Sequence, residues 1–292
     1  MFVDLNLPYE AVGLSGASAE ERRRSIMLAA SRMGYGCVAW NTVVVGTINP
    51  KEATPPPLVE IHNSSSSTAG SSSSSDAMQL QSDGSPSAGS RGDTALRLKS
   101  SFAKTQKATN ATVRQYRRLT LITDDSTKPS DLSVHNPILA KYDIIAVQPS
   151  SDKLFQQACA SLDVDIITLD LTSRLPFKLK MQIASQALAR GIFFELSYAT
   201  ALRNPSSRRY FISNALALVR ATKGKGLILS SEAYDAMELR SPYDVMNLTS
   251  MFGLDLAKGK AAISISPDAT ILHGETRKTH KGVVSMNPKY FY

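Results

Sequence analysis

The stretch from 191 to 231 constrains the fold more than any other part of the chain, because it spells out a complete strand–helix–strand unit. Gly191 opens the apolar run Ile192, Phe193, Phe194, which Glu195 interrupts and Leu196 resumes. A short apolar run behind a glycine predicts a buried strand. Asn204 and Pro205 then start a helix: Asn caps free N–H groups, and Pro has none to lose at the first helical position. Phe211, Ile212, Ala215, Leu216 and Val219 recur at three- and four-residue spacing and build one apolar stripe. Gly224 and Gly226 end the helix, and Leu227, Ile228 and Leu229 form the next strand. Two strands joined through a helix lie parallel, since a tight turn joins only antiparallel ones.

The rest of the chain repeats this plan. Phe2 to Leu5 predict a first strand. Ser18 and Glu21 form a capping-box pattern ahead of a helix with Ile26, Ala30 and Met33 on one face, closed by Gly34. Gly36 to Trp40 follow as a second strand. Further strands are predicted at Leu119–Thr123, Asp143–Val147 and Asp165–Leu169. Between them stand helices from Ser151, with Leu154, Ala158 and Leu162 inward, and from Pro176. A helix from Pro242 to Phe252 and a short one over 255–263 end the pattern, and Thr270 to Leu272 supply the one candidate for an eighth strand. Seven or eight such units predict a TIM-barrel-like α/β fold of seven to eight parallel strands.

One segment breaks the register. Residues 50 to 112 begin with Pro55-Pro56-Pro57 and include nine serines among the twelve residues 64–75. Such a stretch buries too little apolar surface to offset its ordering entropy, so it reads as a disordered insertion into a single barrel domain spanning 1–292. Its last part, with Arg97, Lys99, Lys104, Lys107 and Arg114, reads as a basic helix, and 283–292 as a C-terminal tail.

Charge and cysteine content narrow the function. The formal charge is +8, and residues 116–292 carry 22 Lys and Arg against 16 Asp and Glu, so the excess belongs to the folded part. That balance points to an anionic partner, most simply nucleic acid. Two cysteines, Cys37 and Cys159, exclude a disulfide framework or a zinc cluster and read as core residues. No apolar run approaches the ~18 residues of a membrane span, and MFVDLNLPY lacks the basic-then-apolar pattern of a secretory leader. Arg22, Arg23 and Arg24 are either an import patch or, more simply, the solvated face of the first helix.

In a TIM-type barrel the chemistry sits at the C-terminal strand ends. Those ends carry Asn6, Asn41, Asp124, Asp125, Gln148, Asp170, Glu195 with Ser197, and Ser230, Ser231 and Glu232. Histidine is scarce: His62, His135, His273 and His280 do not supply the ligands a metallohydrolase barrel uses. Asp4, Asp170 and Glu195 form an all-oxygen set suited to magnesium, against the plainer reading that they cap loops or pair with arginines. No nucleotide-binding loop or nucleophile elbow is present, and no cofactor is called for. Cations without a set of bases and nucleophiles describe a binding protein better than an enzyme.

The cations cluster. Arg203, Arg208 and Arg209 surround one helix start, where free N–H groups favour an anion; Arg174, Lys178 and Lys180 surround another. Arg220, Lys223 and Lys225 mark a helix end, and Arg277, Lys278, His280 and Lys281 form a further group. As RNA-binding residues they would contact phosphates, with salt-dependent affinity and little sequence reading. Tyr198, Tyr210 and Phe211 stand near them, short of a stacking platform.

MFVDLNLPY, SRLPFKLK at 173–180, FFELSYATALRNPSSRRYFISNALALVRATKGKGLILSS at 193–231 and HGETRKTHKG at 273–282 resemble the thirty-kilodalton protein subunit family of eukaryotic and archaeal ribonuclease P, found also in RNase MRP. The resemblance covers nearly all of the chain outside 50–112, which departs from the pattern as a fungal-type elaboration would. It implies a barrel like that of the polymerase-and-histidinol-phosphatase phosphoesterases, with Asp4-Leu5-Asn6 where those enzymes have a His-x-His metal pair. It further implies a protein that leaves catalysis to RNA. The partners implied are RNase P RNA, RNase MRP RNA, precursor tRNA and other protein subunits, including a small heterodimer partner. The setting implied is the nucleus and nucleolus, in precursor-tRNA 5′ processing and ribosomal RNA processing. A metal-dependent phosphoesterase of the same barrel family is the competing reading.

Overall fold

The computed structural model describes residues 1–10, 15–49, 53–59, 113–123, 132 and 136–279. Seven parallel strands follow one another in chain order around a single sheet. They are β1 (Phe2–Pro8), β2 (Tyr35–Val45), β3 (Arg114–Thr123), β4 (Ile144–Pro149), β5 (Ile166–Thr168), β6 (Phe193–Ser197) and β7 (Leu227–Ser230). The intervening helices are α1 (Gly16–Met33), α2 (Asp152–Ala160), α3 (Met181–Ala189), α4 (Ala199–Arg203) and α5 (Pro205–Thr222). After β7 come α6 (Pro242–Leu248), α7 (Leu256–Ala262) and α8 (Ile265–Lys278).

Alternation along the strands sorts the side chains into two layers. Leu119, Leu121, Ile145, Val147, Ile167, Phe194, Leu196, Leu227 and Leu229 pack with Phe155, Ala184, Phe211 and Ala215 of α2, α3 and α5. Val38 and Trp40 pack with Ile26, Met27 and Ala30 of α1. A separate cluster of Val3, Leu5, Cys37, Ala39, Ile144, Ala146, Ile166 and Ile228 fills the barrel interior toward the strands' N-terminal ends. Toward the C-terminal ends the interior turns polar, with Asn41, Arg118, Thr120, Glu195 and Ser230 all buried.

The barrel is nearly closed. β1 and β7 exchange no ladder bonds, and the segment after β7 bridges them instead: Glu232 donates its amide to Asn6 O at 2.9 Å, and Ser231 donates its own to Asp4 Oδ1 at 3.1 Å. On its other side β1 shifts register against β2 between Asp4 and Leu7.

Thr270, Ile271 and Leu272 are not an eighth strand. They lie within α8, where Thr270 donates its hydroxyl to Ser266 O at 2.9 Å, as a helix interior allows. A β-branched pair misleads propensity here, because tertiary packing decides: Ile271 joins the interior cluster and closes the barrel floor. Gly274 lets α8 come close, since a Cβ there would stand 2.3 Å from Asp143 O.

Other boundaries differ for identifiable reasons. The α1 helix begins at Gly16, so Ser18 lies inside its first turn and caps nothing. The segment before α3 stays irregular because Phe177 is drawn into the core, stacked 4.8 Å from Phe155, and the helix starts at Met181 instead of Pro176. In α2 it is Phe155, Ala158 and Cys159 that face inward. Arg22 is buried, not solvated: it donates to the carbonyls of Pro8, Tyr9 and Tyr234, each at 2.8 Å, and so ties the end of β1 to the segment after β7. Arg114 opens β3 and belongs to no basic helix. Residues 53–59, assigned by composition to the insertion, are fitted to the barrel. Ala53 and Val59 are buried, and the Gln115 amide receives Val59 N at 2.9 Å and donates to Val59 O at 2.7 Å. Residues 60–112 and the tail from 280 lie outside the described residues.

Candidate functional site

The C-terminal mouth of the barrel holds a connected polar network. Arg118 on β3 donates from both terminal nitrogens to the two carboxylate oxygens of Glu195 on β6, and neither side chain has any exposure. Its third nitrogen donates to Thr120 Oγ1 at 3.0 Å, and one terminal nitrogen also reaches Leu5 O at 3.0 Å. Thr120 donates onward to Asn41 Oδ1, and Asn41 donates to Asn6 Oδ1, both at 2.8 Å. Asn6 closes the ring by donating to Glu195 Oε2 at 3.5 Å, and Ser230 donates to Glu195 Oε1 at 2.6 Å. A buried carboxylate is costly unless it is paired and hydrogen-bonded, and Glu195 is both.

Two further carboxyls are less well compensated. Burial raises the Asp4 carboxyl to about 6, opposed by the hydrogen bonds from Ser231. Burial, followed by the charge of Glu195, raises Glu232 to about 7. Glu232 also holds a left-handed backbone conformation, φ 55°, as the chain turns out of β7. Burial pushes both thiols, Cys37 and Cys159, up to about 12, which suits core residues and not nucleophiles.

The carboxylates proposed to hold magnesium do not converge. Asp170 lies on the surface, accepting from Thr172 and Ser173, while Glu195 is taken by Arg118 and Asp4 by Ser231 and Asn6. Among the described residues no three His, Cys, Asp or Glu side chains are grouped to bind a metal ion. His273 instead bonds Asp165 at 2.7 Å beneath the barrel.

The predicted RNA-binding cations divide between the two ends. Arg174, Lys178 and Lys180 lie exposed between β5 and α3, and Arg203, Arg208 and Arg209 between β6 and the start of α5. Both segments follow strands and so stand at the C-terminal face. Asn214 of α5 holds the carbonyls of Leu171 and Ser173 at 3.1 and 2.7 Å, which brings the two groups together. Arg203 is not free, because it pairs with Glu238 at 2.6 Å and stacks over the Tyr234 ring. Lys223 and Lys225 precede β7 at the opposite, N-terminal face and are exposed. Arg277 and Lys278 are paired there: the Arg277 side chain is only 6% exposed and pairs with Asp165, and Lys278 pairs with Asp143 at 2.8 Å. Lys281 lies outside the described residues. Of the nearby aromatics, Tyr198 and Phe211 are core residues and Tyr210 is exposed.

The residues missed from sequence are Arg118, Gln115 and Asn214. Arg118 carried a signal, since it shares its strand parity with Thr120 and both break an interior face; Gln115 and Asn214 act through loop carbonyls that no local pattern encodes.

The model of the family described as RNase P subunit p30 matches residues 1–279. This chain belongs to that family. Relatives in the p30 family include the ribonuclease P protein subunit p30 of Mus musculus, 47% identical over 168 residues, which cover 58% of this chain and 63% of that one. The ribonuclease P/MRP protein subunit RPP1 of Saccharomyces cerevisiae is 32% identical over 173 residues, 59% of this chain and 58% of its own. The chain thus spans about three fifths of these relatives. The barrel resembles a chain from the cryo-EM structure of archaeal ribonuclease P with mature tRNA, with a TM-score of 0.56, 14% identity and 98% and 99% coverage, a likeness of fold.

Proposed function

We propose that this p30-family chain is a non-catalytic protein subunit of the RNase P and RNase MRP ribonucleoproteins. Within them it supports the RNA that cleaves precursor tRNA at its 5′ end and that acts in ribosomal RNA processing. The observation that carries this reading is the family match over 1–279, on a barrel whose mouth carboxylate Glu195 is neutralised by Arg118. Its partners in this reading are the two RNAs, precursor tRNA and neighbouring protein subunits, one of them a small heterodimer partner. Its place is the nucleus and nucleolus, and it works as a single barrel domain carrying an inserted segment. Arg174, Lys178, Lys180, Arg208 and Arg209 form the RNA-facing group, where exposed cations combine with the positive end of α5. Lys223 and Lys225 offer a second contact at the other face, and Lys281 is a further RNA-binding cation in this reading.

The test is purification of the tagged chain from its own cells, sequencing of the RNA that comes with it, and assay of the eluate on precursor tRNA before and after nuclease treatment. One enriched structured RNA, with 5′ cleavage lost on digestion, supports the reading. Cleavage that survives digestion, or the absence of an enriched RNA, overturns it.

A further inference from the structure

From 171 to 231 the chain carries ten Lys and Arg and a single acidic residue, Glu195, which is buried against Arg118. Two of the ten are paired, Arg190 with Asp163 and Arg203 with Glu238. Of the flanking carboxylates, Asp170 is exposed but engaged by Thr172 and Ser173, and burial raises Glu232 to about 7. Five of the remaining eight cations, Arg174, Lys178, Lys180, Arg208 and Arg209, stand on the two segments that Asn214 ties together at 3.1 and 2.7 Å.

The same packing that places these cations leaves one aromatic ring among them. Leu175, Phe177 and Leu179 are drawn onto the core at every second position, which leaves Arg174, Lys178 and Lys180 outward. Arg208 is held through Nε, which donates to Ala201 O at 2.9 Å and keeps both terminal nitrogens available. The α5 helix turns Phe211, Ala215, Leu218 and Thr222 inward. Tyr210 and Asn214, one turn apart, therefore share the flank that lies against residues 171–173. Tyr210 is 49% exposed, and among the described residues its ring meets no other ring and no cation. Nothing in the fold uses this ring, yet it sits at the junction of two cationic segments.

A paired RNA helix keeps its bases stacked inside and offers such a surface only phosphates and 2′-hydroxyls. An unpaired nucleotide offers a base face as well, and aromatic rings flanked by cations take that face without regard to sequence. One ring is too little for successive bases but enough for one. We infer that Tyr210 is the stacking site for a single unpaired nucleotide, whose neighbouring phosphates lie on Arg174 and Arg209. The inference deepens the RNA-facing reading of this group, and it rests on that reading for the identity of the natural RNA.

The experiment compares the full chain with Tyr210→Ala and Tyr210→Phe in filter binding across a salt series. The probes are a short unstructured RNA and a fully paired RNA duplex of the same length, and tagged wild-type chain is purified from its own cells alongside. Tyr210→Ala should weaken binding of the unstructured RNA about fivefold or more, the scale of one stacked base. Tyr210→Phe, which keeps the ring, should restore it. Duplex binding should be equal in all three chains, which also shows that the variants are folded. The salt slope should not change, because tyrosine neutralises no phosphate. Unchanged binding of the unstructured RNA by Tyr210→Ala, as when the ring meets a protein, overturns the stacking site. So does an equal loss on both RNAs, a failure of Phe to restore binding, or a wild-type chain that binds neither probe. Ring-dependent binding of the unstructured RNA, with no RNA enriched on the chain from its own cells, leaves the stacking site standing and overturns the ribonucleoprotein reading instead.

Discussion

Arg118 and Glu195 meet inside the barrel as a two-pronged ion pair with no exposure on either side. They stand on strands three apart in the sheet, so the pair ties the two halves of the barrel together across its interior. It also fixes the chemistry of the mouth. The Arg118 guanidinium supplies the positive charge there, and Glu195 has no oxygen without a donor.

Removing one partner strands the other. Arg118→Met and Glu195→Gln should each cost about 3–5 kcal/mol, the usual penalty for an uncompensated buried charge. The double variant should recover much of that loss, because an apolar or neutral pair has no charge to desolvate. Urea denaturation of the four chains gives the cycle. Additive losses would mean that the two side chains contribute separately and that the network is not a unit.

Glu232 gives the fold a pH dependence of definite sign. Its folded carboxyl titrates near 7 against an ordinary 4.5, because burial and the charge of Glu195 favour the protonated form. Between these values the folded chain holds a proton that the unfolded chain has released. Stability therefore falls as pH rises from 4.5 to 7, by about 1 kcal/mol per pH unit at the steepest from this group alone, and is flat above. Asp4 acts in the same direction between 3.8 and 6. Glu232→Gln should remove the upper part of the slope and leave the chain more stable at pH 8. Thermal midpoints at half-unit pH steps check this, and an unchanged slope in the variant would refute the assignment.

The contact of α8 with the barrel floor depends on Gly274. A methyl group there would lie 2.3 Å from the backbone oxygen of Asp143, which cannot swing aside. Gly274→Ala should destabilise the chain by about 1–3 kcal/mol, the range for overpacking, despite the higher helix propensity of Ala. Because Lys278 and Arg277 hold the same helix to Asp143 and Asp165, the substitution should also raise amide exchange across 265–278. Exchange that rises evenly over the whole chain would instead mean that α8 does not open as a local unit.

Sequence reading reached the barrel because its evidence is local. Glycine-led apolar runs, the Asn204-Pro205 helix start and the stops at Gly34 and Gly253 each act within a few residues, and Asn204 does cap Ser206 N at 2.9 Å. It missed what depends on distant contacts. Thr270–Leu272 looks like a strand until Ile271 is placed under the barrel floor, and Arg22 looks solvated until Pro8, Tyr9 and Tyr234 turn carbonyls toward it. The basic residues were found as a composition and not as a surface. Arg203 and Arg277 proved to be spent on Glu238 and Asp165, while Arg174, Arg208 and Arg209 remain exposed at one end.

That division makes the last prediction specific. If exposed cations at the C-terminal face neutralise phosphates, the triple variant Arg174→Ala, Arg208→Ala, Arg209→Ala should weaken binding to the co-purifying RNA. It should also reduce the steepness of its salt dependence by roughly 0.7–0.9 for each phosphate that is no longer neutralised. Arg277→Ala should leave that slope unchanged, because its guanidinium faces Asp165 and not solvent. Lys223→Ala with Lys225→Ala reports on the opposite face: an unchanged slope confines the RNA to the mouth side, and a reduced one means that it reaches both. Filter binding at a series of salt concentrations separates these cases, since unfolding lowers the active fraction without altering the slope. If the triple variant kept the full salt dependence, the phosphate-binding cations would have to be sought elsewhere on the chain.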